Sequence, residues 1–243
     1  MRPVLYQFPI SHYCEKIRWA LDYKGIQYNR VSLIPGLHMK SIRKIAPSTS
    51  VPVLRDKGQV VQGSSAIIDY LDKHYPEHSL TPEDPALRRQ AQEWERRLDR
   101  LGEDIRLWCY HYLLAEPELA IPLLTSGQPF YRRWLLRLTY PKIEKGMRYW
   151  MKINSETAAV AQQRMEAMLA ELRTAYLQSH LLVGDHFSRA DLTACALFAM
   201  VFQPAEMPVP WPARERLPTA MKVWIDQHED ELAPLQVHYA QYR

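Results

Sequence analysis

Three cysteines, Cys14, Cys109 and Cys195, are the softest nucleophiles of this 243-residue sequence, and their odd number and long spacings fit neither a disulfide framework nor a zinc site. No bound metal is expected. Cys14 closes the run Ser11-His12-Tyr13-Cys14, where a hydroxyl, an imidazole, a phenol and a thiol follow one another at the start of a helical pattern. A second chemical signal is Val51-Pro52. Proline cannot donate to a sheet ladder, so at the entry to Val53-Leu54 the chain must turn, and a cis peptide bond supplies that turn. The third signal is Ser64-Ser65, opening another helix, where free amides and the positive end of the helix dipole suit a carboxylate. Ser64 reads equally as a helix cap.

The elements that position these residues fall into two groups. Val4 to Phe8 reads as a strand, Tyr13 to Lys24 as an amphipathic helix stopped by Gly25, and Ile26 to Leu33 as a second strand. A short helix around Ser41 to Ile45 follows, then a hairpin of Val51 to Leu54 with Gln59 to Gln62 turning at Asp56-Lys57-Gly58, and a helix from Ser64 to Tyr75. From Leu80 onward the pattern is helical. Leu87, Ala91, Trp94, Leu98, Leu101, Ile105, Trp108 and Tyr112 recur at steps of three and four and predict a long helix with one buried stripe, ended by Glu116-Pro117. Prolines then suggest separate helices around Phe130 to Leu138 and Lys142 to Met151, and Asn154-Ser155 caps a helix running to about Gln178. Ser188 and Asp191 have the spacing of a capping box ahead of the apolar Leu192 to Phe202. Thr219 to Glu231 reads as the last helix.

The expected fold class is therefore α/β plus all-α: residues 1–77 form a small α/β domain, 78–86 a linker, and 87–243 a helical domain. Hydrophobic residues at 47% and charged residues at 24% describe a globular chain, and no apolar run reaches the roughly 20 residues of a membrane span. The first residues run into Pro9 too soon for a signal peptide, and the cysteine usage suits a reducing cytoplasm. Net charge is +4, concentrated in residues 1–77, which hold 11 Lys and Arg against 6 Asp and Glu. That density suits a small anionic ligand better than nucleic acid, and neither nucleic acid nor a membrane is expected as a partner.

Four motifs in order along the chain resemble the cytosolic glutathione transferase superfamily, of a serine-type or related class. They are Phe8-Pro9-Ile10-Ser11-His12-Tyr13-Cys14 leading into Arg18-Trp19-Ala20-Leu21, then Ala46-Pro47 with Val51-Pro52-Val53-Leu54. Gly63-Ser64-Ser65-Ala66-Ile67 with Tyr70-Leu71 is the third, and Gly184 with Ser188-Arg189-Ala190-Asp191 the fourth. The resemblance implies a thioredoxin-like N-terminal domain followed by an all-helical one, a homodimer, glutathione as co-substrate and a hydrophobic electrophile as second substrate. It implies a cis Val51–Pro52 bond whose Val51 backbone pairs with the cysteinyl part of glutathione, and Ser64 and Ser65 at its γ-glutamyl carboxylate. Similar proteins place an acid or Gln directly before that serine. Here the position is Gly63, which leaves Gln62, one residue earlier, as the candidate for the ammonium group. Lys40 and His38 are candidates for the glycine carboxylate.

For the thiolate, the resemblance puts Gln7 where tyrosine-type members carry Tyr and assigns the stabilising hydroxyl to Ser11. A thiol with a pKa near 8.5 is mostly protonated at neutral pH, so a donor at this point matters. His12 and Tyr13 would stand beside the site. Ser11-His12-Tyr13-Cys14 also resembles a glutaredoxin C-x-x-C with its first cysteine replaced, which leaves Cys14 as the alternative catalytic residue. The expected function is a glutathione transferase, or a related glutathione-dependent lyase or isomerase. A non-catalytic scaffold of the same fold and a thiol reductase using Cys14 are the alternatives.

Overall fold

A computed structural model describes residues 2–243. The chain begins with β1 (Val4–Gln7), α1 (His12–Tyr23), β2 (Asn29–Ser32), α2 (Met39–Ile42), β3 (Val53–Asp56), β4 (Gln59–Gln62) and α3 (Ser64–His74). The sheet order is β2-β1-β3-β4, with β1 parallel to β2 and antiparallel to β3, and β3–β4 a hairpin. Lys57 and Gly58 both take positive φ in the hairpin turn, the conformation a tight two-residue connection requires. Leu5, Val53 and Leu54 are fully buried, so β3 is covered on both faces at its start, and α1 buries Ile17, Trp19, Ala20 and Leu21.

Helices α4 (Pro85–Leu113), α5 (Pro117–Leu124), α6 (Phe130–Trp150), α7 (Ser155–Gln178), α8 (Arg189–Phe202), α9 (Thr219–Gln227) and α10 (Glu229–Tyr242) follow. α8 is the centre of the bundle. Its residues from Arg189 to Val201 are all buried, against α4, α1 and α10. Ser188 and Asp191 form the capping box, and Asp191 Oδ1 also accepts from the Leu182 amide at 2.8 Å, so this acid is structural.

Three helical boundaries differ from the sequence reading, two of them at prolines. Pro117 opens α5 instead of merely ending α4, because the first helical position has no amide to lose. Pro141 does not split α6: it lies on the exposed face, where water can take the released carbonyl, while buried Leu136 and Tyr140 pin the helix before it. Tyr140 donates to Leu114 O at 2.8 Å. Beyond α9 the chain breaks at His228 and continues as α10, which the sequence reading ended at Glu231. α10 returns to the first domain, where Tyr239 packs on Trp19 at 4.7 Å and Trp19 Nε1 donates to Tyr242 O.

Candidate functional site

The sheet register brings the chemical residues to one edge. Tyr6 pairs with Val53, and Val53 with Gln62, so the exit of β1, the entry of β3 and the exit of β4 lie side by side. The chain leaves β1 through Phe8-Pro9-Ile10 to Ser11, enters β3 through a cis Val51–Pro52 bond and leaves β4 through Gly63 into α3. Gly63 donates its amide to Pro52 O at 3.1 Å. Its φ of 96° is one that L side chains avoid, which gives a physical reason for glycine where an acid or Gln was looked for.

Ser11 is the N-cap of α1. Its Oγ accepts from the Cys14 amide at 3.4 Å, a long bond that leaves the hydroxyl proton available to donate. The loop that carries Ser11 is fixed from below by Arg18, which is fully buried and donates to Pro9 O at 2.9 Å, Gln7 Oε1 at 2.5 Å and Glu15 at 2.7 Å. Gln7, at the tyrosine position, is thus committed to this network. Burial pushes the Glu15 carboxyl up, but Arg18 and then Arg243 outweigh it and hold it below the usual range. The Cys14 thiol is fully buried, and desolvation pushes its pKa up, which makes it a poor nucleophile where it sits.

α3 begins with Ser64 and Ser65, and its N-cap is Gly63, so Ser64 is not the cap. No side chain of the N-cap residue bonds this end, since the cap is glycine. Ser65 Oγ donates to Asp99 Oδ2 at 2.6 Å. Asp99, on α4, is a neighbour of Ser65 that the sequence reading missed. Only the packing of α3 on α4 brings it here, and nothing in its local sequence marks it. Lys16 Nζ pairs with Asp99 at 2.9 Å and Glu95 at 2.8 Å, and Arg189 ties Glu95 and Asp69, both at 2.6 Å. Above buried Lys16, the other groups border an open cleft of about 630 Å³ lined also by Tyr13, Arg96, Arg100 and Glu103; neither Ser11 nor Val51 lines it.

The remaining candidates scatter. Gln62 points to the preceding loop, where its amide bonds Ser48 N at 3.1 Å, Ser48 O at 3.0 Å and Ser50 O at 2.7 Å. It braces the approach to Val51. His38 caps α2 without a side-chain bond and stands edge-on to Phe8 at 4.7 Å, and burial lowers its pKa. Lys40 is exposed on α2. His12 and Tyr13, expected beside the site, turn to α4 instead. His12 Nε2 bonds Gly102 O at 2.9 Å and Tyr13 Oη donates to Asp99 O at 2.6 Å.

Comparison with known proteins agrees with this layout. Residues 5–79 match the family model described as glutathione S-transferase, N-terminal domain. A probable maleylacetoacetate isomerase of Caenorhabditis elegans is 35% identical over 92 residues, 37% of this chain and 43% of that protein. Glutathione S-transferase Z1 of Arabidopsis thaliana is 41% identical over 83 residues, 33% of this chain and 38% of that one. The chain thus matches less than half the length of these curated relatives. Among solved structures, a glutathione S-transferase of Methylobacterium radiotolerans in complex with glutathione sulfonate superposes with a TM-score of 0.64 at 20% identity, covering 98% of this chain and 90% of that one. The beta-etherase LigF of Sphingobium gives 0.63 at 20%, covering 99% and 100%. These structures share the fold from end to end.

Proposed function

We propose that the chain is a member of the glutathione transferase superfamily, as the match over residues 5–79 supports, and that it binds glutathione along the β3 entry and transfers its sulfur to a small electrophile, or uses it in a related lyase or isomerase reaction. The observation that carries this reading is the meeting, at one sheet edge, of the Ser11 hydroxyl, the Val51–Pro52 backbone and the glycine-capped start of α3. Ser11 donates to the thiolate and lowers its pKa, Val51 pairs with the cysteinyl amide, and the amides of Ser64 and Ser65 take the γ-glutamyl carboxylate. Asp99 supplies the acid that Gly63 cannot. Catalysis on this reading is orientation plus thiolate stabilisation, with no nucleophilic role for Ser11. The protein acts as a homodimer in the cytoplasm, and 1–77 and 87–243 serve as its glutathione and electrophile domains.

The burial of Cys14 weighs against a reductase using that thiol. The engagement of Gln62 with Ser48 and Ser50 favours, as a second reading, a scaffold that has lost glutathione affinity. Titration calorimetry with reduced glutathione separates the two. Saturable binding that weakens in Asp99→Ala is expected, and no heat at millimolar glutathione would remove the transferase reading.

A further inference from the structure

α6 turns apolar side chains to solvent. Phe130, Trp134 and Leu138 form one row at steps of four, with Tyr131 and Leu135 beside it, while buried Leu136 and Tyr140 face the other way. Trp134 is 70% exposed, Leu138 73%, and Trp150 in the last turn 82%. Exposed apolar rows of this kind mark interaction surfaces. The same helix carries Arg132, Arg133, Arg137, Lys142, Lys145 and Arg148 against one acid, Glu144. Arg137 pairs with Glu118 and Arg148 with Glu144, which leaves four cations without an ion-pair partner among the described residues.

By helical spacing Lys142 and Lys145 fall on the same side as the apolar row, so each occupant of this face must answer both features. A second copy would set like charge against like, and a nucleic acid would meet the cations but leave Leu135 and Leu138 facing water. An anionic bilayer answers both, because apolar side chains enter the boundary between headgroups and acyl chains, Trp and Tyr suit the headgroup level, and Lys and Arg meet phosphates. We propose that α6 docks this protein on the surface of an anionic lipid membrane, with the helix lying in the plane of the interface. No helix among the described residues is long and apolar enough to cross a membrane, so the contact is peripheral, and it departs from the sequence expectation of no membrane partner.

Co-sedimentation of the purified protein with vesicles tests this. Vesicles of phosphatidylglycerol and phosphatidylethanolamine should bind the protein at least about tenfold more tightly than pure phosphatidylcholine vesicles, and high salt should release it. The double variant Trp134→Ser, Leu138→Ser and the double variant Lys142→Glu, Lys145→Glu should each lower partitioning at least about tenfold, with the thermal midpoint unchanged. No sedimentation with anionic vesicles, or equal binding to both vesicle types, would overturn the proposal. So would a drop in particle mass by light scattering in Trp134→Ser, Leu138→Ser without lipid, which would make α6 a contact between copies. Tighter binding to duplex DNA than to vesicles would overturn it as well.

Discussion

The seam between the first domain and α4, and the outer face of α6, are inversions of each other. In the seam, Lys16, Glu95 and Arg189 are buried charges, each held by an opposite charge within 3 Å. On α6, tryptophan, leucine and phenylalanine stand in water. Residue type alone decides neither location. Charges enter an interior when the facing elements supply partners, and apolar groups stay outside when the face has nothing in this chain to meet. The seam holds α1, and with it Ser11, against the bundle, whereas α6 can change without disturbing the site.

Substitutions should show that asymmetry. Glu95→Ala removes the shared partner of Lys16 and Arg189, and breaking a buried pair should cost about 3 kcal/mol or more in urea unfolding. A loss below about 1 kcal/mol would mean that the seam is looser than it looks. The pH dependence should come from the same place. Burial, followed by the Arg106 charge, lowers the His12 pKa to about 3, whereas in the unfolded chain it protonates near 6.5. Between those values the unfolded state holds the extra proton, so stability falls as pH drops from 6.5 toward 3, by up to about 1.4 kcal/mol per pH unit from this group. His12→Gln should flatten the urea midpoint over that range.

Gly102→Ala is a milder wedge into the seam. The added Cβ would lie 2.5 Å from Tyr13 Oη and 3.1 Å from His12 Nε2, so α1 must shift, at a cost of about 1–3 kcal/mol measured by the same unfolding. Trp134→Ser, on the bare face, should change stability by no more than about 0.5 kcal/mol. If Trp134→Ser destabilised more than Gly102→Ala, the contrast between the two regions would be wrong.

Much of the first domain was legible in the sequence because its signals are local. The apolar Val53-Leu54 pair, the Lys57-Gly58 turn and the proline at Pro52 each act through near neighbours, as does the Ser188 and Asp191 spacing in the helical domain. Two helical prolines misled for the opposite reason: Pro117 and Pro141 are tolerated by position and tertiary pinning, which periodicity does not report. At the candidate site, Ser11 and Val51 are marked by the motifs that carry the family resemblance, the run into Arg18-Trp19 and Val51-Pro52. Asp99 and the true neighbours of His12 depend on how α1 and α3 lean on α4, and no local pattern encodes that angle. Gln62 stands two residues before Ser64, yet its side chain turns away to Ser48 and Ser50.

The central claim is that the Ser11 hydroxyl holds the sulfur of glutathione as a thiolate. Its most direct test is the ultraviolet absorbance of bound thiolate against pH in the unmodified protein and in Ser11→Ala. The substitution should move the titration about one pH unit or more to higher pH and lower turnover on an aromatic electrophile about tenfold or more, with glutathione affinity nearly intact. Cys14→Ala, a small change in the core, should leave the titration in place. An unchanged titration and rate in Ser11→Ala, or loss of activity in Cys14→Ala alone, would contradict the account.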